Sequence, residues 1–89
     1  MSEVRVQIVN QKGLHARASA KFVELAETFD ARVTVEKDGM EALGDSIMGL
    51  LMLAASKGTY VNIRASGDAA EDALTALTSL VENRFGEDN

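Results

Sequence analysis

The sequence predicts a single α+β domain, spanning residues 1–89, in which a mainly antiparallel sheet carries its helices on one side. Three observations lead there. Apolar and polar residues alternate in short stretches, the period of a strand with one buried face. Asp38-Gly39 stands between two such stretches and marks a tight turn, because both residues tolerate positive φ. Apolar residues between the other stretches recur every three or four positions, which is the period of a half-buried helix. The resulting order is β-α-β-β-α-β-α.

The elements follow in order. Val4, Val6 and Ile8 alternate with Arg5 and Gln7 as a first strand, and residues 10–13 read as a loop. Ala18, Phe22, Leu25, Ala26 and Phe29 form the stripe of a helix from Ala16 to Phe29. Val33 and Val35 mark a second strand, and Met40 to Leu43 return from the turn as a third. Asp45-Ser46 opens a short apolar helix from Ile47 to Ala54, closed by Lys57-Gly58. Residues 60–65 alternate as a fourth strand. Asp68 and Glu71 have the spacing of a capping box. Ala70, Ala73, Leu74, Leu77 and Val81 then mark a last helix that ends near Phe85-Gly86. No repeat, low-complexity stretch or linker divides the chain.

Size and composition narrow the function. With 89 residues, the chain builds one modest core and has little volume for a deep substrate cavity. It has no cysteine, so thiolate chemistry and disulfides are excluded. A single histidine without flanking carboxylates argues against a metal site. No apolar run approaches the roughly 20 residues of a membrane span, and no signal peptide precedes Val4, so the expected location is the cytoplasm. The net charge of −5 argues against nucleic-acid binding. That charge is unevenly spread. Arg5, Lys12, Arg17 and Lys21 lie in an acid-free stretch from Val4 to Lys21, whereas residues 68–89 are acidic apart from Arg84. The basic stretch suits an anionic ligand or an acidic partner.

The one histidine, His15, lies in that basic stretch, after Gly13-Leu14 and at the start of the first helix. Helix starts present free N–H groups and the positive end of the dipole. Imidazole is a nucleophile that titrates near neutral pH. Arg17, two residues on, offers a planar fork of donors to the same anion, and Ser19 is a candidate cap. The pattern therefore suits the holding of a phosphoryl group on an exposed His15. An ordinary N-cap or loop histidine is the plainer reading of the same pattern.

The second helix gives an independent sign. If Leu50, Leu53 and Ala54 face the core, then Ile47, Met48, Leu51 or Met52 remain partly exposed, as at a docking surface. Ser46 stands where an N-cap belongs. A phosphate there would add roughly two negative charges beside the helix start and repel an acidic or apolar partner.

With Gly13-Leu14-His15-Ala16-Arg17 and Asp45-Ser46-Ile47-Met48-Gly49-Leu50 in register, the whole chain resembles the HPr family. These are the histidine-containing phosphocarriers of the bacterial phosphoenolpyruvate-dependent phosphotransferase system. The resemblance implies an open-faced β-sandwich, a four-stranded antiparallel sheet covered on one side by three helices. It implies that His15 accepts a phosphoryl group on Nδ1 from phosphorylated enzyme I, with Arg17 beside the phosphate, and passes it to the A component of an enzyme II complex. It makes Ser46 the target of an ATP-dependent kinase/phosphorylase. Leu14, Ala20, Ile47, Met48, Leu51 and Met52 would form the apolar part of a shared docking face. The protein is then a monomeric carrier with transient partners, not an enzyme, and it needs no cofactor.

Ala18 stands where the family usually has proline, which bears on the first helical turn and the rate of transfer. Two other functions fit parts of the pattern. An enzyme with His15 as general base would need a pocket and a second polar group that the chain does not clearly offer. A regulatory module would depend on phosphorylated Ser46 alone. Within the carrier reading, sugar uptake and a nitrogen-related regulatory branch are both open.

Overall fold

The computed structural model describes residues 2–88. Alternating valines and isoleucines set the sheet. Strands β1 (Ser2–Gln7), β2 (Arg32–Lys37), β3 (Met40–Leu43) and β4 (Tyr60–Ser66) lie in the order β1-β4-β2-β3, every neighbouring pair antiparallel. The register puts Val6 opposite Val61, Val33 opposite Ala65, and Val35 between Ile63 and Ala42. All seven are buried on the same face, as the period of two requires. Across the other face Arg64 reaches Glu3 at 3.4 Å and Glu41 at 3.2 Å, and the Arg5 guanidinium lies 4.6 Å from the centre of the Tyr60 ring.

Helices α1 (Ala16–Ala26), α2 (Ile47–Met52) and α3 (Ala70–Glu82) cover the apolar face. Helix α3 lies across β1 and β4, and α1 packs between α2 and α3. Phe22, Leu50, Leu53, Leu77, Val81 and Phe85 close the core beneath them. This is the open-faced arrangement expected from the sequence, and α1 forms without a proline at Ala18, which is itself fully buried.

Three helix ends differ from expectation. Helix α1 stops at Ala26 because its stripe continues in tighter turns. There Thr28 N donates to Leu25 O and Phe29 N to Ala26 O, while the Thr28 hydroxyl also takes Leu25 O at 2.7 Å. Helix α2 stops at Met52 for the same reason, with Leu53 N and Ala54 N bonding three residues back and Ala54 turning to φ 54°. Lys57-Gly58 does not close a helix; Gly58 N instead donates to Ile8 O at 2.7 Å. Asp68 and Glu71 do not form a capping box. Ala69 occupies the N-cap without a side-chain bond, and the Glu71 carboxylate accepts the Ser2 hydroxyl instead. After α3 the chain makes a 3-10 turn at Arg84–Gly86 with three consecutive positive φ values.

Candidate functional site

The His15 loop is fastened from both sides. Gly13 has φ +66°, and a Cβ there would lie 2.5 Å from Ala55 O and 2.8 Å from Ser56 Cα. Only glycine allows that approach. It lets Leu14 N donate to Ala55 O at 2.8 Å, which ties the loop to the end of α2. Asn10 is fully buried and donates through Nδ2 to Gly13 O at 2.8 Å, while Gly13 N donates back to Asn10 O. Leu14 is consequently only 6 % exposed and belongs to the core. The expectation that it joins a docking face is corrected: a loop drawn this close to α2 turns the leucine inward.

His15 is the N-cap of α1, extended at φ −77°, with no capping bond from its side chain. The first helical backbone bond is Ser19 N to His15 O at 2.8 Å, so the N–H groups of Ala16, Arg17 and Ala18 precede any acceptor in the helix. No acidic residue occupies that first turn. Ser19 does not cap it either; its buried hydroxyl donates to Leu14 O at 3.2 Å. Arg17 is exposed and makes no ion pair among the described residues. The result is a positive helix end with an unengaged guanidinium beside an imidazole.

An anion from the far end of the chain reaches this place. Glu87 bonds through Oε2 to Nε2 of His15 and through Oε1 accepts Asn10 Nδ2 at 3.1 Å. Half-burial of His15, expected to be exposed, follows from this cover. Burial acts to raise the Glu87 pKa, but the bonds from His15 and Asn10 and the nearby Lys12 charge hold its carboxyl below the ordinary value. The turn that delivers Glu87 is held by Phe85, which is 1 % exposed, and by Lys21 Nζ, which donates to Phe85 O at 2.7 Å. Gln11, Lys12, His15, Arg17, Lys21 and Glu87 surround an open depression of about 390 Å³. Sequence reasoning missed Glu87, Asn10 and the anchoring part played by Lys21. The available sign was the contrast between a basic early stretch and an acidic late one.

Helix α2 leads away from this depression. Ala54 and Ala55, just past its end, line a smaller hollow with Lys12, Leu14 and His15. Ile47 is 41 % exposed, and Met48 and Met52 are each 68 % exposed, whereas Leu51 and Ala20 are half-buried. Ala54, expected in the core, is exposed because its left-handed backbone turns it out. Ser46 caps α2: its Oγ accepts Gly49 N at 3.0 Å. Among the described residues no three histidine, cysteine or acidic side chains gather as a metal site, and no helix is long and apolar enough to cross a membrane.

A family model described as the PTS HPr component phosphorylation site matches residues 2–83. The chain is 45 % identical over 87 residues to phosphocarrier protein HPr of Neisseria meningitidis, covering 98 % of each. It is 40 % identical over 85 residues to phosphocarrier protein NPr of Proteus mirabilis, covering 94 % of each. Among solved structures it is similar to HPr of Thermoanaerobacter tengcongensis, with a TM-score of 0.95, 44 % identity and full coverage of both chains.

Proposed function

Since the chain belongs to the HPr family of phosphotransferase-system phosphocarriers, we propose that His15 is the residue that receives and hands on the phosphoryl group. The observation that carries this reading is the position of His15 at the N-terminus of α1, where the N–H groups of residues 16–18 and the Arg17 guanidinium are free to meet an anion. Phosphorylated enzyme I is the donor, and the A component of an enzyme II complex is the acceptor. The Nδ1 lone pair bonds to phosphorus as the bond from phosphorus to the donor breaks, its electron pair remaining on the donor. Backbone N–H groups and Arg17 then hold the phosphoryl oxygens at the surface, where the next protein reaches them.

Partners dock on the apolar surface of α2, with Ile47, Met48 and Met52 exposed and Leu51 and Ala20 at its margin. Ser46 is the site at which an HPr kinase/phosphorylase adds a second, regulatory phosphate. Charge at that cap then opposes docking over the same helix. The carrier works as a monomer in the cytoplasm, through small interfaces that release quickly.

The test is intact mass after incubation with phosphoenolpyruvate and enzyme I. The expected result is an acid-labile gain of one phosphoryl group that disappears in His15→Ala. Undiminished labelling of His15→Ala would overturn the assignment, as would no labelling by an enzyme I shown active on another carrier.

A further inference from the structure

We infer that Glu87 is a positioning residue for the transfer: its carboxylate holds the imidazole proton of His15 on Nε2 and leaves the lone pair on Nδ1. This rests on the reading of His15 as the phosphoryl acceptor. An ionised carboxylate only accepts, and Glu87 Oε2 contacts Nε2, so Nε2 must donate. A neutral imidazole has a single proton, so Nδ1, which has no partner among the described residues, keeps its lone pair.

The carboxylate is aimed, not merely nearby. Each oxygen has its own partner, Oε2 with His15 and Oε1 with the buried Asn10 amide. Asn10 spends its Nδ2 on Gly13 O and Glu87 Oε1, and its Oδ1 is left without a partner among the described residues. One amide thus sets the loop before His15 and the acid across from it. Behind Glu87, Arg84 at φ 58° and Phe85 at φ 54° are non-glycine residues held in the left-handed region. Such backbone persists only where the surroundings fix it. Here the buried Phe85 ring and the Lys21 bond to Phe85 O fix it. The turn therefore delivers residue 87 to one place, opposite the ring nitrogen that does not attack.

The chemical consequence concerns the charge of the ring. As Nδ1 bonds to phosphorus and the donor's bond breaks, the imidazole gains positive character. The Nε2 proton stays on the ring, and the facing carboxylate stabilises that charge, the part the aspartate plays beside the histidine of serine hydrolases. The same contact serves the reverse step, when Nδ1 surrenders phosphorus to the next acceptor.

The experiment has two arms. Two-bond proton–nitrogen NMR of the wild-type protein, read on the alkaline plateau of its own ring signals, should find His15 predominantly as the Nε2–H tautomer. In Glu87→Ala it should shift toward a mixture. Phosphoryl acceptance from enzyme I by Glu87→Ala should fall about tenfold at saturating donor, the kinetic size of one hydrogen bond to a charged group, with KM within about twofold. A mere tether for the chain would leave the tautomer unmoved. A wild-type protein with the proton on Nδ1 overturns the inference, even where the variant folds poorly. So does a folded Glu87→Ala that accepts phosphate at the wild-type rate. If the wild-type protein takes no phosphate on His15, the underlying functional reading fails instead.

Discussion

Replacing Gly13 by alanine tests whether the closeness of two backbones holds the His15 loop. Two separate penalties apply. The left-handed φ of +66° costs a residue with a Cβ about 1–2 kcal/mol. The new Cβ would also lie 2.5 Å from Ala55 O and 2.8 Å from Ser56 Cα, both backbone atoms that no rotamer change moves away. The loop must therefore retreat, and the Leu14 N to Ala55 O bond at 2.8 Å goes with it, for about 1 kcal/mol more. A loss of about 2–3 kcal/mol is a large part of the 5–15 kcal/mol typical of a domain. It should lower Tm by about 8–24 °C at the 4–8 °C per kcal/mol of a chain this size. Gly39→Ala is the control. Its φ is +86°, yet nothing lies within 4 Å of its Cβ, so only the backbone term applies. Thermal unfolding followed by far-ultraviolet circular dichroism reads both. Equal shifts in the two variants would refute the claim that close approach, beyond backbone conformation, fixes glycine at residue 13.

Ser46→Ala should cost about 1 kcal/mol by urea unfolding, because Gly49 N loses its acceptor; an unchanged midpoint would show the cap to be idle. Acid should weaken the fold through Glu36 and Glu87. The Glu36 carboxyl is held below its ordinary pKa by the Asn62 amide and the Gly39 N–H, and Glu87 by His15 and Asn10 against its burial. A depressed carboxylate stabilises above its unfolded pKa, and that contribution is lost as pH falls through the folded value. Stability should therefore decline as pH drops below about 4.5, the ordinary carboxylate value. The decline should be shallower in Glu36→Gln, and an identical acid profile would contradict the cause given. Met48→Asp, at a residue 68 % exposed, should leave stability within about 0.5 kcal/mol. It should raise KM for phosphorylated enzyme I, and an unchanged KM would remove α2 from the docking surface.

Local chemistry was legible in the sequence. Asp38-Gly39 marks the β2–β3 turn, Ser46 the cap of α2, and the alternating valines the buried face of the sheet, because each depends on residues a few positions apart. His15 at the start of α1 was legible for the same reason. What escaped was decided at a distance. The inward turn of Leu14 depends on Ala55, and the stops of α1 and α2 depend on i to i+3 bonds whose competition with one more helical turn the apolar stripe does not report. Glu87 reaches His15 across 72 positions through a turn of three left-handed residues, two of which carry side chains. No periodicity encodes such a turn; it exists because the core accepts the Phe85 ring.

That 72-residue separation sets a schedule during synthesis. His15 leaves the ribosome before β4, on which β1 must wait to pair, and the imidazole meets its carboxylate later still. At about 5–20 residues per second, the interval between translating the histidine and its partner acid is about 4–14 s. Throughout that interval a nascent chain has the imidazole without its facing carboxylate, so the His15–Glu87 pair forms in one late step and not gradually.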